Sequence, residues 1–371
     1  MKLAIISSAP LIPKDNTYQA YGPYIKEMAI WAQYADDVAF VSPVWESDRG
    51  LLCAPVAFPV ARLFEAKDFN VTSPLNLLNA LRHSLRNFYR IYQAMRWADH
   101  IHLRCPGNLG LMACIVQIFF PAKKKTAKYA GNWDPKAKQP WSYKLQRWIL
   151  ANTFLTKNMQ VLVYGAWPNS TLNIKPFFTA SYRESQKTAV EPRDLSGKIR
   201  FLFVGTLSEG KRPQYALQLV MQLHRAGHDV AIDFFGEGLE RQPLEALITR
   251  HNLSKIACLR GNRTADEIQQ AYRESHFLLL PSKSEGWPKV VAEAMFWGCL
   301  PLATNVSCVS YMLGHGNRGV ILSTHQETDF NLVLGILANQ EEYRTKVLDS
   351  ISWSRQFTLD LFEKEIKALL T

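Results

Sequence analysis

The six cysteines of this 371-residue chain, Cys53, Cys105, Cys114, Cys258, Cys299 and Cys308, form no Cys-x-x-Cys pair and no Cys/His cluster. Thiols scattered through a chain of this length read as small buried residues of a reducing compartment, which argues against both a disulfide framework and a zinc site. Asp-x-Asp is absent as well, so a carboxylate-held Mg²⁺ or Mn²⁺ on a diphosphate is not expected and no metal is required. The dinucleotide fingerprint Gly-x-Gly-x-x-Gly is missing. Gly236-Glu237-Gly238 supplies only two of its glycines, which argues against a nicotinamide dehydrogenase. No run of eighteen apolar residues occurs, so no segment is expected to span a bilayer. The opening MKLAIISSAP has too few apolar residues for an export signal and reads as a first strand, Leu3–Ser7. Internal repeats and low-complexity tracts are also lacking.

What is present is an ordinary globular composition, 47% hydrophobic and 20% charged, with a net charge of +11. The length favours two domains. The charge is unevenly placed. Residues 1–190 hold 23 Lys/Arg and 11 Asp/Glu, a balance of +12, so the remainder is close to neutral. An anionic partner for the first half follows, a membrane surface or a lipid phosphate. Nucleic acid is not expected, because no binding motif accompanies the charge.

Strand and helix signals alternate along both halves. In the second half, Arg200–Gly205, Val230–Gly236, Ile256–Gly261, Phe277–Pro281, Leu300–Thr304 and Gly319–Leu322 read as strands. Helical spacing marks Pro213–Ala226, Pro243–His251, Thr264–Glu274 and Val290–Phe296. In the first half, Leu3–Ser7, Val38–Ser42, His100–Leu103, Lys125–Tyr129 and Gln160–Val163 read as strands, with helices at Pro23–Ala35, Pro74–Trp97, Leu109–Phe120 and Ser142–Leu155. Such alternation gives parallel, doubly wound sheets. Residues 185–198 are polar and read as a linker. The expected division is 1–190, 191–350, and a final helix over 351–371 returning toward the first domain. Two such domains facing one another leave a cleft at the carboxyl ends of their strands, where ligands bind.

The strongest chemical signal is Pro281–Met295, PSKSEGWPKVVAEAM. A buried strand enters a Ser/Gly loop, and a helix opens at Pro288, where proline is favoured. The N–H groups of Lys289 and Val290 lack intrahelical partners, so this end suits a diphosphate. Glu285 before the helix and Glu293 within it are carboxylates fit to accept from sugar hydroxyls. Alone, they read first as an N-cap acid and a solvated helix face, and the strand–loop–Pro–helix context is what raises them to a site. A second signal is Phe203–Pro213, FVGTLSEGKRP, which places Lys211 and Arg212 at a strand end, where cations can neutralise a leaving diphosphate.

Glu285-x₇-Glu293 within SEGWPKVVAEAM, followed by Gly298 and Pro301, resembles the donor motif of family 4 retaining glycosyltransferases of GT-B fold. The likeness runs from about Phe201 to Leu322 and includes Trp353, Phe357 and Phe362 near the end. It implies transfer of a sugar from a nucleoside diphosphate sugar (a UDP- or GDP-sugar) to a hydroxyl acceptor, a glycan or lipid-linked glycan of the cell envelope. The site would be cytoplasmic, at the inner face of the membrane. By the same resemblance Glu285 faces the donor sugar, Gly286, Trp287, Pro288, Lys289 and Val290 face sugar and phosphates, and Glu293 holds the ribose. Gly205, Thr206, Gly236, Arg260, Gly261 and Asn262 fall at the strand ends that line the nucleotide. Similar enzymes carry Arg where Thr206 stands, so Arg212 is the candidate substitute.

The first half matches only in outline. Ala9–Tyr24 reads as a long loop in which Gly22 replaces a glycine pair, with Tyr18, Tyr21 and Tyr24 available to a sugar ring or to the core. His102 and Arg104 end a strand; similar enzymes often place a functional His just before an acid and Pro, where this chain has Arg104-Cys105-Pro106, and His102 reads equally as catalytic or structural. Asn132-Trp133-Asp134 ends the next strand. Leu109–Lys128 reads as an interfacial helix or as a buried crossover. Rival functions are a GT-B epimerase or phosphorylase, and a sugar-nucleotide-binding subunit without turnover.

Overall fold

The structure, a computed structural model, describes residues 1–15, 17–67 and 74–371, with side chains of the Pro74–Trp97 helix described from His83 onward. It divides into two units, Met1–Phe177 with Glu363–Thr371, and Phe178–Phe362.

The first unit is built on a seven-stranded sheet in which every pairing is parallel. Its order is Ile174–Phe177, Met159–Tyr164, Lys124–Tyr129, His100–Cys105, Lys2–Ile6, Asp37–Pro43 and Arg62–Ala66. Strands buried on both faces are continuous apolar runs, as at Leu3–Ile6 and Val38–Val41. The helices Pro74–Trp97, Asn108–Val116 and Trp141–Ala151 pack in series beside one another. The six-stranded sheet of the second unit is also parallel throughout. It runs Ala257–Gly261, Val230–Phe235, Ile199–Val204, Phe277–Leu280, Leu300–Thr304, Val320–Leu322. In order of appearance this is 3-2-1-4-5-6, the dinucleotide-fold arrangement, and the first unit repeats it with one strand added. In such a sheet the crossovers diverge between the first and fourth strands, and a crevice opens at their carboxyl ends.

Several expectations are corrected. The stretch Ala9–Tyr24 is not a plain loop. Ile12–Lys14 and Thr17–Tyr21 pair antiparallel and are joined by Cys53–Pro55 in a small sheet; Asn16 lies outside the described residues. Two edge strands, Arg62–Ala66 and Ile174–Phe177, were not anticipated. The final helix, expected as one segment, is two: Gln340–Ser354 and Leu359–Leu370. They are separated by a turn in which Phe357 packs 4.7 Å from Trp353 and the Thr358 hydroxyl accepts from the Leu361 amide.

The unit boundary lies at Phe177/Phe178, ahead of the expected 190/191, because the polar segment after it is docked on the second unit. Phe178 packs 5.0 Å from Phe357, and Tyr182 lies 4.8 Å from Phe296. Arg193 donates to the carbonyls of Gly298 at 2.8 Å and Tyr272 at 3.1 Å.

Candidate active site in the second unit

Lys211 and Glu285 meet at the crevice position of the second unit. The first strand ends at Val204 and leads through Gly205 and Thr206 to the short turn Glu209–Lys211. The fourth ends at Leu280 and leads through Ser282 to Glu285. The Lys211 Nζ lies 2.5 Å from Glu285 Oε1, with the carboxylate 8% and the ammonium 27% exposed. Two further contacts clamp the loops together: the Lys283 amide donates to Gly210 O at 2.8 Å, and Lys283 pairs with Glu209.

Side chains from the fifth strand's end fix the Glu285 loop from beneath. Thr304 Oγ1 donates to Ser282 O at 2.5 Å. Ser307 Oγ and Cys308 Sγ both donate to Gly286 O, at 3.0 and 3.1 Å. Trp287 is buried with its ring 6.3 Å from Trp353 and 5.9 Å from Phe357. The Glu285 carboxylate is thus carried on a loop whose backbone is held on both sides of it. No interaction predictable from local sequence spacing pointed to Thr304, Ser307 or Cys308.

Two helices start at this crevice without side-chain caps and without acids in their first turns, Pro213–Arg225 after Arg212 and Lys289–Phe296 after Pro288. By contrast, the Ala265–Glu274 helix has a complete capping box from Thr264 and Glu267. Uncapped helix N-termini beside a cation favour an anion through their free amides and dipoles. Arg212 stands at the N-cap in the left-handed conformation, φ 53°. Thr206, at the place where an Arg was sought, is exposed.

Gly236 and Gly261 sit on the neighbouring strand ends. The Gly205 amide donates to Phe235 O and the Gly236 amide to Gly261 O, both at 2.9 Å. A Cβ at Gly236 would overlap the Gly205 carbonyl, and one at Gly238 the Leu207 carbonyl. Close backbone packing therefore accounts for these glycines even before a ligand is considered. Arg260 is drawn aside to Asp233 at 2.8 Å, in a groove of about 420 Å³ shared with Phe235 and Arg263. Asn262 is exposed.

Glu293 is placed differently from expectation. Its Oε1 accepts from Ser181 Oγ at 2.5 Å and its Oε2 from Tyr272 Oη at 3.1 Å. Two hydroxyls of the same unit thus engage the carboxylate.

The first-unit candidates form a buried network. His102 is not at a surface. It is fully buried, its ring 4.0 Å from Trp31 and its Nδ1 2.9 Å from Thr126 Oγ1. Burial, then the charge of Arg104, holds its pKa well below the usual histidine range, so the ring is neutral and structural. Arg104 Nη1 lies 2.6 Å from Glu27 Oε1 above the Tyr24 ring, and Lys128 Nζ lies 2.9 Å from Glu27 Oε2. The carboxylate that pairs with Arg104 comes from the Gly22–Ala32 helix. Gly22 packs its amide on Leu52 O at 2.8 Å. The Asn132–Asp134 segment is a turn closed on itself: Asn132 Oδ1 accepts from the Asp134 amide, and Arg147 holds the Asp134 carbonyl.

Within Leu109–Lys128, the helix Asn108–Val116 is a buried crossover, while Phe119 just beyond it is exposed. Leu109, Met112, Ala113, Cys114 and Val116 are buried. Lys125 donates inward to the carbonyls of Gln117 and Phe120, and Lys128 is fully buried.

Solved structures with this architecture define the class. The chain superposes over 100% of its length on 99% of the HepE protein of Anabaena in complex with UDP and glucose, with a TM-score of 0.68 and 15% identity. It superposes to the same extent on the lipopolysaccharide outer core galactosyltransferase WaaB, with a TM-score of 0.69 and 15% identity. The fold is GT-B, two Rossmann-like units in one chain. Residues 185–348 match the family glycosyl transferases group 1. The match begins ahead of Phe201 and ends short of Trp353, Phe357 and Phe362. Among curated relatives, an uncharacterized glycosyltransferase of Methanocaldococcus jannaschii is 27% identical over 143 residues, 38% of this chain and 39% of that protein. A D-inositol 3-phosphate glycosyltransferase of Paenarthrobacter aurescens is 24% identical over 241 residues, 60% of this chain and 58% of that protein. The chain thus spans under two thirds of the length of these relatives.

Proposed function

We propose that the chain is a family 4, retaining glycosyltransferase that moves a sugar from a nucleoside diphosphate sugar, with UDP or GDP as carrier, to a hydroxyl acceptor of a cell-envelope glycan, at the inner face of the membrane. The observation that carries the reading is the Lys211–Glu285 pair lying across the crevice of the second unit, flanked by two uncapped helix N-termini. In the donor complex the pair exchanges partners. The diphosphate takes Lys211 and the two helix N-termini, and the donor sugar's hydroxyls take Glu285. As the anomeric carbon–oxygen bond breaks, positive charge gathers on the sugar ring and negative charge on the leaving diphosphate. Glu285 lies beside the first and Lys211, with Arg212, beside the second. The acceptor oxygen bonds to the anomeric carbon on the face the diphosphate leaves, and its proton passes to the departing phosphate oxygen. Neither a protein nucleophile nor a metal is needed for this balance. Support comes from the family match, from the UDP and glucose held by HepE, and from the lipopolysaccharide role of WaaB.

The test is a thermal-shift titration with nucleoside diphosphates and their sugars, with and without chelator. One nucleoside diphosphate series should raise the midpoint by mass action, chelator should leave the shift intact, and Lys211→Ala should weaken binding roughly tenfold or more, as expected for loss of a charge-assisted contact. Binding that chelator abolishes, or that Lys211→Ala leaves unchanged, contradicts the reading.

A further inference from the structure

Most of the basic surplus lies in one stretch. From Phe69 to Arg183 there are sixteen Lys and Arg, while the acids are Asp99 and Asp134 alone. Where the helices of the first unit end, beside the amino edge of its sheet, this stretch exposes large aromatic side chains. Phe119 is 72% exposed, Phe154 76%, Trp148 60% and Tyr92 43%. These ends form one surface. Gln117 Nε2 donates to Leu155 O at 3.0 Å, Asn158 Nδ2 donates to Pro121 O at 2.9 Å, and the Tyr92 ring lies 5.3 Å from Phe120. Cations are interleaved with the rings. Arg96, Lys144 and Lys157 are exposed, and Lys157 Nζ stands 5.3 Å over the Phe154 ring. Asp99, the one acid of the stretch at this edge, is engaged by the Lys2 amide at 2.8 Å.

Aromatic rings left in water beside cations, in a stretch whose only acids are Asp99 and Asp134, match the boundary of an anionic bilayer; Asp36, elsewhere along the sheet's amino edge, is paired with the N-terminal ammonium. Rings settle there at head-group depth while Lys and Arg reach the phosphates. We propose that this end of the first unit docks on an anionic lipid surface, with Phe119, Trp148 and Phe154 entering the head-group layer and Arg96, Lys144 and Lys157 facing lipid phosphates. It includes Phe119, at the exposed end of the otherwise largely buried Leu109–Lys128 stretch, and it shares no residue with the donor site.

The full chain is sedimented with vesicles of phosphatidylcholine alone or of phosphatidylcholine with phosphatidylglycerol, and Trp fluorescence is recorded. Binding to the anionic vesicles is expected, with a blue shift that Trp148→Phe reduces. It should weaken roughly tenfold on neutral vesicles or in about 0.5 M salt, where the Debye length is only a few ångströms. Phe119→Ser with Phe154→Ser should weaken it to a similar degree, as should Lys144→Glu with Lys157→Glu. Unchanged melting and unchanged nucleotide-induced shifts in those variants keep folding and the donor site out of the readout. Absence of binding to anionic vesicles, or wild-type binding by both double variants, overturns the proposal. Self-association, or capture of an acidic protein, that the Phe variants abolish while lipid binding is absent assigns the face to a protein partner and also overturns it.

Discussion

Replacing Glu27 by Gln tests the buried network that surrounds Arg104. The carboxylate is 9% exposed and holds two cations at once, Arg104 at 2.6 Å and Lys128 at 2.9 Å, the latter fully buried. Gln keeps the shape and removes the charge, taking this carboxylate away from the fully buried Lys128 and the half-buried Arg104. Removing one partner of a buried pair costs about 3–5 kcal/mol, because solvent cannot reach the charge left behind. Hydrogen exchange at the amides of His100–Cys105 and Lys124–Tyr129 reads this locally, without requiring the whole chain to unfold as one. Opening of those strands should become at least about 10²-fold more frequent, since each 1.4 kcal/mol is tenfold. Adding Lys128→Met, which removes one of the two cations, should recover part of the protection. Exchange within about threefold of wild type in the single variant, or no recovery in the double, would refute the assignment of Glu27 as the counter-ion.

Three-strand packing at the second unit's edge gives a further test: Gly236→Ala should lower the melting temperature and weaken nucleotide binding together, because the added methyl overlaps the Gly205 carbonyl; an unchanged melting curve contradicts that packing. The pH dependence of stability follows from the buried lysines. Burial lowers the pKa of both Lys125 and Lys128 to about 8, below that of a lysine in the unfolded chain, near 10.4. Between those values the unfolded state binds more protons than the folded state, so these groups make stability rise as pH increases from about 8. Melting measured from pH 7 to about 9.5 should show a rising contribution that Lys125→Met diminishes; identical pH slopes in the two proteins contradict it.

The sheets were legible because parallel strands covered on both faces are nearly pure apolar runs, and Arg200–Gly205 and Phe277–Pro281 needed no context. The edge strands were not. RLFEA and IKPF are half-exposed and mixed, and Pro176 demotes the latter. The break before Leu359 carries neither Gly nor Pro and is set by Trp353 and Phe357 packing, which spacing does not reveal. At the site, Lys211 and Glu285 could each be placed at a strand end, but their contact depends on which strands are neighbours. His102 misled for the same physical reason: in a sheet covered on both sides, a polar residue near a strand end has equal claim to crevice and core. Glu293 meets Ser181 and Tyr272, partners distant in sequence that no local pattern announces.

Transfer by the Glu285→Ala variant tests the donor site most directly. With a nucleoside diphosphate sugar that shifts the melting of the wild-type chain, release of the nucleoside diphosphate is followed in a single turnover with acceptor present. A carboxylate positioned against the sugar as charge develops is worth roughly 10²-fold or more in rate, so the variant should fold, bind the nucleoside diphosphate, and turn over at least that much more slowly. Turnover at the wild-type rate would contradict the placement of Glu285 at the reacting sugar, and with it the identification of the Lys211–Glu285 crevice as the active site.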